Sequence, residues 1–500
     1  MRKQLLSLVL LCGALGATAG ERLADPAVDA YNLRFGSQAF GTLYKFTDQD
    51  VAVEQAGRLV AMGSDILKFT ISAGKRGKEP KTLTAWVQEN TNTLHLFEMP
   101  FRHYFAWTSV AGHKNGGYWH KGPDAAEERI ERDEMREFTS WLLTRYNGTG
   151  KKFYLGNWEG DWLLLGTAQH GTNNPAPAAL AGMRGWLNAR QQGIDEAKAA
   201  TPHTNVDVFC YVEVNRVRDA MANKPGRNTR LVNAVLPFVT NLDYVSYSSY
   251  DAQNLKEPEM VKTLDYLAAH LPTNKAAMIS GRRVFVGEYG FGGGGRTPDA
   301  QEAPTREYLA RLLRWGVPFA LFWQVYNNEK GNHFCLIDPA NKPTPCWFLH
   351  LRFINAARLK LAGFKQERGR LPTDDEFAKL VGPLLEQPLP PPVRFTLAHE
   401  MPGQPGPGGL LLRATLTQGI YGDEPAQVRA YWGTRDGGTA SNAWEHVEDS
   451  GRNTRFGAAR FSAMLLDVPA QAKIFYRFQA STSDGTAWAP ASATFTPVAP

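Results

Sequence analysis

Two short stretches carry carboxylates where chemistry could use them. GNWEGDW (156–162) sets Glu159 and Asp161 between Trp158 and Trp162, directly after the apolar run KFYLG. RVFVGEYGF (283–291) sets Glu288 at the end of a second apolar run. Two carboxyl groups facing each other can divide the work, one keeping a proton to donate while the other stays ionised to attack or accept. Glu213 in YVEVN and Glu98 in HLFEM end further apolar runs. Glu213 reads as a structural ion pair with Arg216 or Arg218, and nothing in its context singles Glu98 out. For the acid role the longer Glu159 is favoured over Asp161, because it reaches further from a strand end; both stay open.

The elements that must position these groups alternate from about residue 35 to 360. Strand-like runs are GSQAFGTLY (36–44), DILKFTI (65–71), TLHLFEM (93–99), KFYLG (152–156), VDVFCYVEV (206–214), DYVSYSS (243–249), RVFVGEY (283–289) and PFALFWQVY (318–326). Several are nearly continuous in apolar character, as strands buried on both faces must be. Amphipathic helical patterns lie between them, at 124–146, 181–200, 258–271 and 304–316, and a fifth at 346–362 closes the series. Eight strand–helix repeats predict an α/β fold, a (β/α)8 TIM barrel, over residues 20–362. A doubly wound sheet would want a Gly-rich turn after its first strand, whereas FGGGGR (291–296) follows the seventh.

Beyond 362 a helical piece and the Pro-rich stretch QPLPPPV span 363–391, a stiff linker. From 392 to 500 short alternating strands separated by Gly/Asp/Asn turns predict a C-terminal antiparallel β-sandwich. This segment resembles fibronectin type III-like modules, through its strand spacing and the ending YRFQASTSDGTAW.

The 500 residues are 43% hydrophobic and 21% charged, which excludes a largely disordered chain. Lys and Arg exceed Asp and Glu by six, but they are scattered, and a cluster such as GKRGKEPK (74–81) is a solvated loop; no nucleic-acid partner is expected. MRKQLLSLVLLCGALGATAG has the charged start, apolar centre and small-residue cleavage site of a signal peptide (1–19), so a secreted or periplasmic protein without a membrane span is expected. Cys335 and Cys346 flank a Pro-rich loop where a disulfide is plausible in such a compartment, and Cys210 reads as a buried small hydrophobe. No Cys/His spacing suggests zinc, and neither metal nor cofactor is expected.

The carboxylates after the fourth and seventh strands, with Trp323 in FALFWQVYNN and the tyrosines of DYVSYSSYD, make residues 30–360 resemble the clan A glycoside hydrolases, which are retaining (β/α)8 enzymes. The resemblance implies Glu159 as acid/base, Glu288 as nucleophile, Tyr250 or Tyr247 hydrogen-bonded to the nucleophile, and Trp323 as a platform under the sugar. Trp107, Trp158 and Trp162, with His103 and Tyr104, would wall a groove for a poly- or oligosaccharide, on a protein expected to be monomeric. One departure stands out. Clan members carry Asn directly before the acid/base, whereas Trp158 separates Asn157 from Glu159, which puts the contact of Asn157 with a sugar hydroxyl in doubt. The alternative function is a carbohydrate-binding barrel without turnover.

Overall fold

The computed structural model describes residues 25–497 apart from 74–81, 112–116, 170, 172, 273–280, 387–394, 401–409, 419–425, 454–457, 466–467, 470 and 483–484. The signal-like N-terminus, the basic loop at 74–81 and QPLPPPV lie outside these residues. The chain divides into one compact unit of Asp25–Leu389 and a second that holds Pro390–Pro500.

The first unit is a closed barrel of eight parallel strands: β1 (Phe35–Gln38), β2 (Ile66–Ser72), β3 (His103–Ser109), β4 (Lys152–Gly156), β5 (Asp207–Val214), β6 (Tyr244–Ser248), β7 (Val284–Tyr289) and β8 (Ala320–Phe322). Each pairs with the next in sequence, and β8 returns to β1 with Phe35 opposite Ala320. Helices cover the outside. The one at Val51–Met62 starts where the Asp50 carboxylate accepts the Ala52 and Val53 N–H groups and stops at Gly63, whose φ of 83° suits a residue without Cβ. Its buried face is Val53, Ala56, Leu59 and Met62, the large members contributing roughly 1.5–3 kcal/mol each. The closing helix, Pro345–Arg368, runs past the expected end at 362.

One predicted strand is corrected. TLHLFE is a helix, Thr91–Glu98, begun by the Asn90 side chain accepting the Thr93 N–H and ended before Pro100. The third strand is the following run HYFAWTS. Glu98 is therefore at a helix end, paired on the surface with Arg145 at 2.9 Å, and is no strand-end carboxylate.

Aromatic rings fill the lower barrel: Phe105, Tyr154, Tyr211, Tyr244, Phe285 and Phe319 pack with Ile66 and Leu321. Phe105 and Tyr154 stack at 4.2 Å. Gly156, the last residue of β4, makes room for the Tyr211 ring, which a Cβ there would meet at 2.3 Å. Its carbonyl accepts from the buried guanidinium of Arg190, itself paired with Glu131 at 2.5 Å, so two outer helices are tied to the strand end that leads into Glu159.

Among its described residues the second unit has eight strands: β9 (Phe395–Glu400), β10 (Leu410–Gln418), β11 (Ala426–Gly433), β12 (His446–Asn453), β13 (Ala458–Leu465), β14 (Ile474–Thr482), β15 (Gly485–Trp488) and β16 (Ala493–Phe495). They form an antiparallel sheet in the order β13-β10-β9 and another in the order β12-β11-β14-β15, with β16 also on β14. Alternate residues from both sheets, among them Leu412, Ala414, Leu416, Val428, Trp432, Tyr476 and Phe478, share one core. This is a β-sandwich.

Cys335 and Cys346 are buried free thiols, so the bridge expected between them is not formed, and Cys210 is buried among the apolar residues of β5.

Candidate active site

Alternation along the strands decides which side chains reach the barrel axis. On β6, Ser246 and Ser248 point inward, while Tyr247 points away and donates its hydroxyl to Asp251. On β2, alternation delivers a lysine into the interior. Lys68 is fully buried, and its ammonium donates to Glu213 Oε2 at 2.8 Å, to the Gly287 carbonyl at 3.0 Å and toward Glu288 Oε1 at 3.4 Å. Its Nζ also lies 4.6 Å from the centre of the Trp107 ring.

Three carboxyl groups meet above this lysine. Glu288, next to the end of β7, is 3% exposed. Glu159, just past β4, accepts the Ser248 hydroxyl on Oε1 at 2.6 Å, and the same hydroxyl oxygen stands 3.4 Å from Glu288 Oε2. Glu213, on β5, lies between them in the wall, bonded to Lys68, to Ser246 at 2.7 Å, to the Trp107 indole N–H at 3.0 Å and to the Glu159 backbone N–H at 3.2 Å. The expected pairing of Glu213 with Arg216 or Arg218 is corrected: Arg216 pairs with Asp219, and Arg218 approaches Glu259 at 3.9 Å. Sequence reading missed Lys68, Ser246 and Ser248. The available signal was a lone lysine inside the apolar run ILKFTI and the period-two serines of VSYSS.

Burial pushes the Glu159 carboxyl up to about 7; the Ser248 hydroxyl works against this, and the Glu213 carboxylate adds to it. Burial also drives Glu288 upward, with the Lys68 ammonium opposing it and the Glu213 and Glu159 carboxylates reinforcing it. Each of the two carboxylates stands against ionisation of the other. The ammonium stands nearer to Glu288, which favours the charge there and the proton on Glu159.

Asp161, the other candidate for the acid, is held by backbone donors. It is fully buried, with Oδ2 accepting the Asn215 and Arg216 N–H groups at 3.0 and 3.1 Å and Oδ1 accepting the Leu231 N–H at 2.7 Å. It organises the loops after β4 and β5. Asn157 is spent in the same way. Its side chain accepts the Glu213 N–H at 3.2 Å and donates to the Glu213 carbonyl at 3.3 Å, so its expected role as a sugar ligand is corrected to that of a splint between β4 and β5.

The aromatic residues separate into two groups. Trp107 and Trp323 lie beside Phe40 at 4.1 and 5.3 Å, with Phe334 and Tyr250 joining them at the strand ends. The Trp323 indole N–H donates to Glu329 at 3.2 Å. Trp158 stands edge-on to Trp107 at 6.5 Å, while Trp162 lies under the Arg216 guanidinium. Burial, then the Glu288 and Glu159 carboxylates, push the Tyr250 hydroxyl well above the ordinary tyrosine range, which keeps it a donor beside them. Of the two tyrosines Tyr250 is therefore the one near the carboxylates, and the Tyr247 expectation is corrected. His103 and Tyr104 are not groove walls. Both are buried in β3, His103 at its first residue, where its ring meets the Tyr154 hydroxyl at 3.2 Å and lines a cavity of about 660 Å³ at the opposite end of the barrel. Burial pushes that imidazole down to about 3, so it is neutral.

No protein-family model matches the chain, and no curated protein does either. Among solved structures it is similar to an endo-β-1,4-mannanase from Thermotoga petrophila, at 12% identity and a TM-score of 0.40, over 94% of this chain and 99% of that one. A glucosidase from Croceicoccus marinus aligns at 8% identity and 0.41, over 87% and 94%. A β-glucosidase from Exiguobacterium marinum aligns at 12% and 0.37, over 65% and 99%. Likeness of this size carries no inference about the chemistry of this chain.

Proposed function

We propose that this chain is an exported glycoside hydrolase that cleaves a poly- or oligosaccharide with retention of anomeric configuration. Glu288, ionised beside Lys68, attacks the anomeric carbon, and the C–O bond to the leaving group breaks as Glu159 gives that oxygen its proton. Glu159 then takes a proton from water, which attacks the glycosyl-enzyme and releases Glu288. Trp107 and Trp323 offer flat apolar faces to the sugar, and Tyr250 supplies a donor beside the carboxylates.

One observation carries the reading. Oε1 of Glu159 and Oε2 of Glu288 both lie within reach of the single Ser248 hydroxyl. That holds the two oxygens to no more than about 6 Å apart, short of the ~6.5–9.5 Å that admits a water for inversion. The N-terminal signal pattern supports export. The engagement of Asn157 with the Glu213 backbone favours the second reading, a barrel that binds carbohydrate without turning it over.

The test is incubation of the protein with plant, algal and microbial glycans, reading reducing ends and, by NMR, the first anomer released. Retained configuration supports the proposal. An inverted first product would refute the nucleophile, and binding without release on every glycan would favour the second reading.

A further inference from the structure

Glu213 has no step in that reaction, yet it touches more of the site than either outer carboxylate. Its two oxygens accept from four donors on four segments: the Lys68 ammonium (β2), the Trp107 indole N–H (β3), the Glu159 backbone N–H (after β4) and the Ser246 hydroxyl (β6). A carboxylate offers about four acceptor sites, so these donors fill it. Glu213 is fully buried, so it does not reach a substrate.

The fold makes room for this group. A Cβ on Gly287 would stand 1.8 Å from the Ser246 hydroxyl and 2.8 Å from Glu213 Oε2, so only glycine at 287 lets the serine and the carboxylate meet there. The residue beside that glycine is Glu288. Among the described residues, the charged and titratable groups facing Glu213 are Lys68 from β2, Glu159 from the segment after β4, Tyr250 from the segment after β6 and Glu288 from β7, with Tyr211 below it on its own strand.

We infer that Glu213 is a positioning residue for both outer carboxylates: it anchors the Lys68 ammonium beside Glu288, it fixes the backbone from which Glu159 projects, and its charge bears on both. Two bonds support the geometric half, since one carboxylate grips the cation of one partner and the main chain of the other. Its charge acts on both neighbours, standing against ionisation of each. Lys68 offsets that effect for Glu288, which it approaches directly, more than for Glu159. The inference rests on the proposed reaction for its meaning, but not for its measurement.

Glu213→Gln puts an amide N–H among donors and deletes the charge. The δ-carboxyl carbons of ¹³C-labelled glutamate are titrated by NMR without substrate, with the Glu159 signal assigned by its loss in Glu159→Gln. The Glu159 titration should move to lower pH by about one pH unit. Both limbs of the pH–kcat/KM profile on an activated aryl glycoside should move the same way, with kcat reduced at least about tenfold. A loss of activity with titration and limbs unmoved would make Glu213 a scaffold residue only and overturn the inference. If Glu213→Gln does not fold, Glu213→Asp keeps the charge but is too short to hold Lys68 and Glu159 together. It should lower kcat while leaving the Glu159 titration in place, and a kcat within about twofold of the parent would overturn the positioning role. The titration reads the coupling even if no glycan is hydrolysed, so failure of the proposed reaction and failure of this inference give different results.

Discussion

The Ser248 hydroxyl donates to Glu159 across 2.6 Å, from a strand that also brings it within 3.4 Å of Glu288. This bond favours the ionised form of Glu159 and so works against the burial that raises its pKa. Ser248→Ala should therefore move the basic limb of the pH–rate profile upward, because the acid keeps its proton to higher pH. Loss of the alignment should at the same time lower kcat roughly tenfold. A basic limb that moves down would show that Glu159 is not the group it reports.

Glu288→Ala should abolish turnover and leave the fold intact. Azide should restore part of the activity on an aryl glycoside and give a glycosyl azide of inverted configuration, since a small anion can stand where the carboxylate was. Unchanged activity in the variant would remove Glu288 from the mechanism.

Glu159→Gln should slow substrates with poor leaving groups far more than activated aryl glycosides, which need little protonation. Asp161→Asn tests the opposite property. Its amide would face three backbone N–H groups with one acceptor oxygen fewer, so it should cost about 1–3 kcal/mol in urea unfolding and show no leaving-group dependence. Leaving-group dependence in Asp161→Asn alone would return the acid role to Asp161.

The raised pKa of Glu159 also has a stability consequence. With the folded value near 7 and the unfolded value at the ordinary ~4.3, the contribution of this proton is full at low pH and is lost as pH rises through about 7. Glu159→Gln cannot lose it. The variant and the parent should melt alike near pH 4, and the variant should be more stable at pH 8 by on the order of 2 kcal/mol. A variant less stable than the parent at pH 8 would mean that Glu159 is ionised there at little expense.

Lys68→Met should be the most damaging of these changes to folding. It strands two buried carboxylates, Glu213 and Glu288, whose cation it removes. The expected loss is about 3–5 kcal/mol by urea unfolding, reduced at acid pH where Glu288, its carboxyl already pushed up by burial, takes up a proton. A loss below about 1 kcal/mol would show that the ammonium does not hold them.

The barrel and the sandwich were legible in the chain because their signals are local. Apolar runs of strand length, helical periodicity between them and turn residues beyond 392 each depend on a few neighbours in sequence. The seventh-strand Glu288 was readable for the same reason, as was Glu159 just past the fourth. The third strand was misread because TLHLFEM satisfies a strand pattern and a helix pattern alike; the Asn90 cap and Pro100 were the deciding marks. What only the tertiary structure decided is which polar groups face one another. Lys68 and Glu213 are 145 positions apart, and nothing local to either says that β2 and β5 point them at the same place. Asp161 and Asn157 looked like chemistry in sequence, but closure of the barrel turned both toward backbone groups of the β5 strand and the loops beyond it. A side chain's partner depends on strand order, register and the inward or outward turn of one residue, and in a closed barrel those are set by all eight strands together.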